Sequence, residues 1–307
     1  MKVLLLENIH PVAKEKLEQE GHTVDLLAHS PDPSEMKDLF ASYDALGIRS
    51  KTKLTAEILK DSKHLMAIGC FCIGTNQVEL SQAKSQGASV FNAPHSNTRS
   101  VAELVIAEMV MLSRQLGDRN TNAHNGTWLK SAKGANEIRG KKLGIIGYGH
   151  IGSQVSVLAE AFGLKVYFYD TTKKLSLGNA TSVANLDDLL SDCDFITLHV
   201  PETTATKDMI SERELSKMKK GSYLINASRG SVVVIDHLAK ALKENHIAGA
   251  AVDVFPSEPA SNNETFSSEL QKLENVILTP HIGGSTEEAQ YSIGVEVAES
   301  LNKFLSR

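Results

Sequence analysis

The stretch Lys141-Lys-Leu-Gly-Ile-Ile-Gly-Tyr-Gly-His-Ile-Gly152 places glycines at positions 147, 149 and 152 directly after a short apolar run. One interpretation is that a phosphate must approach this backbone closely, at the start of the following helix. The other interpretation is an ordinary tight turn. The Gly-x-Gly-x-x-Gly pattern alone does not distinguish the two, so the residues around it have to decide.

The residues on either side of the glycines favour a dinucleotide site. Leu143 to Ile146 predicts a strand, Ile151 to Phe162 predicts a helix, and Lys165 to Tyr169 predicts the next strand. Asp170 stands at the end of that strand, where a carboxylate accepts hydrogen bonds from both hydroxyls of an adenosine ribose. Strand, glycines, helix and acid therefore occur in the order that dinucleotide binding requires.

The same carboxylate predicts which dinucleotide is bound. Asp170 would repel the additional 2′-phosphate of NADP, so NAD is the predicted cofactor. Lys173 and Lys174 follow closely and could favour a 2′-phosphate, but we expect them on an exposed loop.

Composition indicates an ordinary globular protein of two domains. The chain has 307 residues, 41% of them hydrophobic, which is enough to bury two cores. A formal net charge of -5 gives no basic surface for nucleic acid or an anionic membrane, so neither partner is expected. The apolar start, Val3 to Leu6, is too short for a signal peptide, and no stretch reaches transmembrane length.

The cysteines predict a reducing compartment. Cys70, Cys72 and Cys193 are too few and too unevenly spaced for a disulfide framework or a structural zinc site. We expect buried thiols, a cytoplasmic protein and no metal; a redox or metal role for Cys70 and Cys72 is the alternative.

Apolar β-rich runs alternate with helical patterns along the whole chain, which predicts an α/β protein with parallel sheets. The expected architecture is two doubly wound parallel-sheet domains: a Rossmann dinucleotide-binding domain at 98–285 and a smaller flavodoxin-like substrate domain at 1–97, completed by 286–307. The predicted strands of the small domain are Val3 to Leu6, Ala45 to Ile48, Leu65 to Ile68 and Ser89 to Phe91. Those of the large domain are Leu143 to Ile146, Lys165 to Tyr169, Phe195 to Val200, Tyr223 to Asn226, Ala248 to Val252 and Val276 to Leu278.

One predicted helix indicates a homodimer. Ser100 to Arg114 predicts a helix that is apolar around most of its circumference, which suits burial between domains or subunits. Trp128 is expected to be a packing or interface residue.

Polar side chains follow three of the predicted strands of the large domain. The segments are Ala227 to Gly230, Asp253 to Pro259 and Thr279 to Ser285. Ligands of open parallel sheets lie beyond the carboxyl ends of the strands, so these segments should share one cleft. Each residue alone is more often a surface or packing residue. Together they offer a guanidinium, carboxylates and an imidazole, which hydride transfer between a nicotinamide and a 2-hydroxy acid requires.

The same segments resemble the signature blocks of the D-2-hydroxyacid dehydrogenases. The blocks are Asn226 to Val233, Asp253 to Pro259 and Pro280 to Thr286. Within that family, three further segments resemble the bacterial-type branch that oxidises 3-phospho-D-glycerate to 3-phosphohydroxypyruvate, the first step of serine biosynthesis. They are Ile68 to Asn76, Asn92 to Leu104 and Ile145 to Gly152, and the resemblance covers nearly the whole chain.

The resemblance implies catalytic roles for three residues. Arg229 would bind the substrate carboxylate and polarise the C2 oxygen, and His281 would take or return the hydroxyl proton. Glu258 would orient His281 and favour its protonated form. Asp253 would hold the nicotinamide carboxamide. The remaining implied cofactor contacts are Gly147, Gly149, His150, Ile151, Gly152, Ala227, Ser228, Gly283 and Gly284, together with Asp170, Arg229 and His281.

The small domain is expected to supply the rest of the substrate site. Arg49, Ser50 and Lys51 follow a predicted strand and could hold a phosphate, and Gly74 could offer backbone N–H groups to a carboxylate. Asn97 and Lys130 are weaker candidates. Some relatives carry arginine in place of Lys51, so the fork geometry is lost here while the charge is kept. The alternative is that these are surface cations of a loop.

Two other functions stay open. The chain could reduce another 2-keto acid, such as 2-oxoglutarate or hydroxypyruvate, because the carboxylate and carbonyl machinery is shared. It could also be an NADH-sensing, corepressor-like binding module. Long members of the branch carry a further regulatory domain after the last helix, and this chain ends at Arg307, so it is expected to be a short form, natural or cut. Serine feedback is then in doubt.

Overall fold

The computed structural model describes residues 1–259 and 263–306. The chain divides into two compact units. The small unit consists of Met1–Asn97 together with the residues from Ser285 onward, and the large unit is Thr98–Gly284.

The small unit is built on a parallel sheet. Its strands are β1 (Lys2–Leu6), β2 (Thr23–Leu27), β3 (Ala45–Ile48), β4 (Ala67–Cys70) and β5 (Ser89–Asn92). In the described part of the chain this sheet has five strands in the order β2-β1-β3-β4-β5, and each neighbouring pair is parallel. This is the flavodoxin-like order, which confirms the predicted fold of this unit.

Helices cover both faces of the small sheet. They are α1 (Pro11–Gln19), α2 (Pro33–Phe40), α3 (Ala56–Asp61), α4 (Leu80–Ser85) and α11 (Glu287–Leu305). One core lies between the sheet, α1 and α11, and includes Leu17, Val297 and Leu301. The other lies under α2, α3 and α4, where Phe40 and Leu59 are buried. The last helix of the chain is therefore part of the first domain.

The large unit has a second parallel sheet. Its strands are β6 (Lys142–Ile146), β7 (Lys165–Tyr169), β8 (Thr181–Ser182), β9 (Phe195–Leu198), β10 (Ser222–Asn226), β11 (Ile247–Val252) and β12 (Val276–Leu278). Among the described residues it has seven strands in the order β12-β11-β10-β9-β6-β7-β8. The order reverses at β6, as in a dinucleotide-binding Rossmann sheet, so this prediction is confirmed too.

The helices of the large unit form two layers. They are α5 (Thr98–Arg114), α6 (Leu116–His124), α7 (His150–Ala161), α8 (Leu186–Asp192), α9 (Glu212–Lys217) and α10 (Ile235–Lys243). Buried side chains of α5 and α7 pack on one face of the sheet, and those of α8, α9 and α10 pack on the other. Both strand faces are covered, which explains the nearly continuous apolar strand sequences.

Several strands differ from the sequence prediction, β2, β8 and β4 among them. β2 was not predicted, because its five residues are only partly apolar and Val24 alone is buried. β8 was missed because it is a two-residue, fully exposed edge strand. β4 begins at Ala67 rather than Leu65, since its pairing with β3 runs through Gly69 to Cys70. A glycine weakens a strand prediction. Here the glycine is needed because a Cβ at Gly69 would lie 2.7 Å from Val297 Cγ1 of α11, too close for a side chain.

One face of the apolar helix α5 is buried within its own unit. Val101, Val105, Met109 and Leu112 are buried in the core that α5 shares with α7 and the sheet. On the outer face of the helix Glu103 and Ala107 are exposed, and Leu104 and Met111 are half-buried. The inner face is therefore packed within the unit, while part of the apolar outer face remains accessible.

None of the helices in the described ranges is both long and apolar enough for a membrane crossing.

Candidate active site

The glycine loop connects β6 to α7 by backbone contacts that exclude side chains. Gly147 has φ +92°, and its N–H donates a hydrogen bond to the Tyr169 carbonyl at 2.9 Å. A Cβ at Gly147 would overlap the His199 carbonyl, and one at Gly152 would overlap the Gly147 carbonyl. Gly149, just before α7, has open space where a side chain would stand. An open backbone at a helix N-terminus fits the pyrophosphate of a dinucleotide.

Asp170 lies at the end of β7, beside this loop. Its Oδ2 accepts from the Tyr148 N–H at 2.9 Å, and its Oδ1 accepts from the Thr172 N–H and hydroxyl, both at 2.9 Å. Burial opposes ionisation, but these hydrogen bonds outweigh it and hold the pKa of Asp170 below its ordinary value. The group is thus a carboxylate at neutral pH, as a ribose diol requires. Lys173 and Lys174 are exposed.

His199 was not predicted as a site residue, because it was included in a strand assigned to Phe195–Val200. β9 ends at Leu198, so His199 is the first residue beyond a strand end at the glycine loop. Its Nε2 is 3.0 Å from the Thr197 hydroxyl, and burial lowers its pKa to about 3. The imidazole is therefore neutral. With the strand ending at Leu198, His199 would have been a polar residue directly after a strand, and such residues are candidates for a ligand site.

Arg229 follows β10, in a turn that is held by hydrogen bonds of the Asn226 side chain. The Asn226 amide donates to the Arg229 carbonyl at 3.1 Å, and Asn226 Oδ1 accepts from the Ser228 N–H at 3.1 Å. A Cβ at Gly230 would overlap the Phe255 carbonyl, so the turn lies directly against the segment after β11. The guanidinium donates to the Ser228 carbonyl at 2.6 Å.

Asp253, the first residue after β11, is 1% exposed. Its Oδ1 accepts from the Thr279 hydroxyl at 2.6 Å and from the Ile282 N–H at 2.8 Å. Its Oδ2 accepts from the Gly283 N–H at 2.8 Å. The His281 N–H donates to the Asp253 carbonyl at 2.8 Å. One aspartate therefore holds the whole turn after β12.

His281 and Glu258 form a hydrogen-bonded pair. His281 Nδ1 lies 2.8 Å from Glu258 Oε2, and Glu258 Oε1 accepts from the Phe255 N–H at 3.0 Å. The hydrogen bond to Glu258 raises the pKa of His281, although burial opposes this. The pKa of Glu258 is lowered despite burial, because His281 and the Phe255 N–H donate to its carboxylate. An ionised carboxylate only accepts, so Nδ1 carries the proton and Nε2 is the nitrogen that can exchange one.

The large unit therefore brings together Arg229, Asp253, Glu258 and His281 at the carboxyl ends of adjacent strands β10, β11 and β12. Their direct links are the contacts of Gly230 with Phe255 and of His281 with Glu258 and Asp253. His281 itself has φ +54°, a backbone conformation that needs support from its surroundings. The hydrogen bonds to Asp253 provide that support.

A buried acid on α5 was missed. Glu108 is 1% exposed, and neither of its carboxyl oxygens has a hydrogen-bond partner in the described residues. Burial, and then the nearby charge of Asp253, raise the pKa of Glu108 to about 8. Glu108 lies on the same buried face of α5 as Val101, Val105 and Leu112. An acidic residue at an apolar position of a predicted helix was therefore the feature of the sequence that could have indicated it.

The predicted substrate residues of the small unit lie at the carboxyl edge of its own sheet. Arg49 is half-buried, Ser50 and Lys51 are exposed, and all three follow β3. No ion pair of Arg49 or Lys51 is found within the described ranges. The Gln77 amide donates to the Arg49 carbonyl at 2.8 Å and to Cys72 Sγ at 3.1 Å, which joins this loop to the one that contains Gly74.

The other candidates have less support. Asn97 is half-buried in the small unit, and its Oδ1 is a buried acceptor with no partner among the described residues. Lys130, in the large unit, is exposed. Over residues 1–259 and 263–306 no cluster of three histidine, cysteine or acidic side chains is arranged to hold a metal ion.

Comparisons with known proteins agree with this geometry. Residues 106–283 match the family described as D-isomer specific 2-hydroxyacid dehydrogenase, NAD binding domain. The chain is 54% identical to a D-3-phosphoglycerate dehydrogenase of Dictyostelium discoideum, over all of this chain and 75% of that protein. It is 53% identical to the protein of that name from Escherichia coli strain K12, over 99% of this chain and 74% of the relative. A solved D-lactate dehydrogenase from Aquifex aeolicus, complexed with NAD and lactic acid, superimposes with a TM-score of 0.85, at 29% identity over 99% of this chain and 95% of that one.

The glycine loop, the Asp170 carboxylate and the His281–Glu258 pair define a dehydrogenase that binds a nicotinamide dinucleotide. Because the family model matches residues 106–283 and the relatives match the whole chain, the chain belongs to the D-isomer specific 2-hydroxyacid dehydrogenase family. It is an NAD-dependent enzyme, which confirms the predicted class and cofactor.

Glu108 predicts a pH dependence of stability. A carboxyl whose pKa rises from 4.5 unfolded to about 8 folded contributes stability that is complete below pH 4.5 and lost as the pH rises to about 8. Glu108→Gln removes this titration while keeping the side-chain size. We expect the free energy of unfolding of the variant to exceed that of the wild type at pH 8 by more than ~1 kcal/mol, and to differ less at pH 5.

Urea unfolding at both pH values measures this difference. The matched control is Glu103→Gln, which removes an exposed carboxylate from the same helix and should show no such pH dependence. A difference between the Glu108 variant and the wild type that is the same at pH 5 and pH 8 would show that Glu108 is ionised in the folded protein.

Proposed function

We propose that the chain oxidises 3-phospho-D-glycerate to 3-phosphohydroxypyruvate with NAD⁺, the first step of serine biosynthesis. The observation that carries the choice of substrate is the loop Arg49–Lys51, where two cations without ion pairs among the described residues stand at the carboxyl edge of the small sheet. A phosphate with nearly two negative charges is the group that such a pair suits. The 53–54% identity to D-3-phosphoglycerate dehydrogenases supports the same choice.

The proposed chemistry assigns one task to each residue of the large-unit site. Arg229 binds the substrate carboxylate and polarises the oxygen on C2, since a planar guanidinium matches a carboxylate. His281 takes the hydroxyl proton on Nε2 as the C2–O bond becomes a carbonyl. Glu258 holds Nδ1 at 2.8 Å and stabilises the imidazolium that results. NAD⁺, when bound, accepts the hydride from C2, and Asp253 would hold its carboxamide.

A pH profile tests the His281–Glu258 pair. The reduction of a keto acid needs a protonated His281, so activity should be present below the raised pKa of His281 and fall as the pH rises through it. In Glu258→Gln the supporting charge is absent, so the fall of kcat/KM should move to lower pH. His281→Asn should lower kcat by ~100-fold or more at every pH.

The control for Glu258→Gln is Glu269→Gln, which removes an exposed carboxylate from the same part of the chain. Its pH profile should match that of the wild type. If Glu258→Gln also leaves the profile unmoved, Glu258 does not act through His281.

A substrate panel tests the proposed phosphate contact. Arg49→Ala combined with Lys51→Ala should raise KM for 3-phosphoglycerate by about tenfold or more, equivalent to at least ~1.4 kcal/mol of binding. Glycerate and 2-oxoglutarate lack the phosphate and should lose much less. High salt should weaken the wild type more than the variant.

The matched control removes the same charge elsewhere in the small unit: Lys60→Ala with Lys63→Ala, both exposed. If the Arg49 and Lys51 variant raised KM equally for all three acids, the loop would either stabilise the small unit or bind a group that the three acids share. If the wild type prefers 2-oxoglutarate or another unphosphorylated acid, the chain is a reductase of that acid instead.

We also propose a homodimer, formed through a surface that includes Trp128 and Leu129. Trp128 is 83% exposed and Leu129 is 51% exposed. Arg119 holds this segment in place by donating to the Leu129 carbonyl at 2.8 Å and the Ser131 carbonyl at 2.7 Å. A fixed segment that presents a tryptophan to water is typical of an interface.

Sedimentation at micromolar concentration should therefore give a dimer for the wild type. Trp128→Ala with Leu129→Ala should shift it towards monomer, whereas Leu175→Ala, an exposed leucine of the same unit, should not. A monomeric wild type would contradict the proposal.

A cytoplasmic location is proposed from the thiols. Cys70, Cys72 and Cys193 are free, and burial raises the pKa of Cys70 and of Cys193 to about 12, which leaves them unreactive. Three free thiols suit a reducing compartment. Recovery of the protein from an oxidising compartment in cell fractionation would contradict this.

A further inference from the structure

A buried carboxylate lies directly beneath the loop Arg49–Thr52. Glu7 follows β1, is 8% exposed, and has φ +61°. β1 pairs with β3, so the ends of both strands lie at the same edge of the small sheet. A glutamate in the left-handed region is uncommon and persists where its surroundings hold it.

The surroundings of Glu7 are the backbone N–H groups of that loop. Oε1 accepts from Arg49 at 3.1 Å and from Thr52 at 2.8 Å, and Oε2 accepts from Lys51 at 3.0 Å. Converging N–H groups of this kind form the concavities that bind anions in many proteins. Here an acid of the chain itself occupies them. These three N–H groups are therefore not available to a phosphate at this loop.

Two further contacts hold the main chain of the loop. The Gln77 amide donates to the Arg49 carbonyl at 2.8 Å, and the Thr52 hydroxyl donates to the Ser30 hydroxyl at 2.9 Å. Thr52 is fully buried, while Lys51 is exposed. The loop thus has a fixed backbone and a free cationic side chain.

We propose that Glu7 is a positioning residue that determines phosphate specificity: by filling the N–H groups of the loop, its carboxylate sets where Arg49 and Lys51 meet the substrate. This inference rests on the proposed function, because it takes the phosphate contact of those two cations as given. It assigns to Glu7 no contact with the substrate.

The negative charge of Glu7 by itself opposes phosphate binding, whereas its hydrogen bonds to the loop favour it by fixing the loop. Three N–H donors already compensate the carboxylate, and hydrogen bonds to a charged group are individually stronger than neutral ones. Glu7→Gln removes the charge and one acceptor. Glu7→Asp keeps the charge, but its side chain is one methylene shorter and cannot reach all three donors.

Steady-state kinetics of both variants, on 3-phosphoglycerate and on 2-oxoglutarate, test the proposal. Both should raise KM for 3-phosphoglycerate by about fivefold to tenfold, with kcat within about twofold and KM for 2-oxoglutarate unchanged. Inorganic phosphate should inhibit the variants less than the wild type. The control is Tyr43→Phe, which removes the 2.9 Å hydrogen bond to Asp25 in the same unit and should alter neither KM.

A double-mutant comparison shows whether Glu7 acts through the cations. In the Arg49→Ala, Lys51→Ala background, adding Glu7→Gln should raise KM for 3-phosphoglycerate no further. If neither Glu7 variant folds, Gln77→Ala, which removes the other side-chain contact to the loop, should give the same phosphate-selective rise.

Three results would overturn the inference while leaving the proposed function intact: an equal rise in KM for both acids, an additive effect in the double-mutant comparison, or a lower KM in Glu7→Gln with no change in Glu7→Asp. The last would mean that Glu7 acts by charge alone. A wild type without preference for the phosphorylated acid would instead refute the proposed function, and the inference with it.

Discussion

The turn after β12 depends on one carboxylate that is almost inaccessible to water. Asp253 accepts from Thr279, Ile282 and Gly283, and its carbonyl accepts from the His281 N–H. The strand β12 has three residues, all half-buried, and cannot by itself hold His281 in its left-handed conformation. Asp253, which follows β11, therefore fixes the backbone of His281, and the hydrogen bond to Glu258 fixes the orientation of its imidazole.

The same arrangement occurs at three strand ends. Asp170 accepts from the N–H groups of residues 148 and 172, Asp253 from those of 282 and 283, and Glu7 from those of 49, 51 and 52. Loops at the carboxyl edge of a parallel sheet have no ladder partners for these donors, and a buried unpaired donor is costly. An acid of the chain satisfies them. The basic side chains of the loops remain available for ligands.

Sequence reasoning found what depends on local order and missed what depends on neighbours in space. The glycines and Asp170 could be predicted because strand, turn, helix and acid follow one another within one βαβ unit. Glu7 could not be assigned, since its three partners lie more than 40 positions away. For the same reason Glu108 was classed only as part of an apolar helix: its burial comes from the sheet and α7, not from its own segment.

The interrupted small unit has a consequence for synthesis on the ribosome. α11 supplies Ile293, Val297 and Leu301 to the core that β1 and α1 began almost 300 residues earlier. Until that helix leaves the exit tunnel, one face of the first sheet lacks its cover and exposes apolar surface, while the Rossmann unit already has all of its strands. The small unit is therefore begun before the Rossmann unit but completed after it, and it is the part that would need protection by a chaperone during translation.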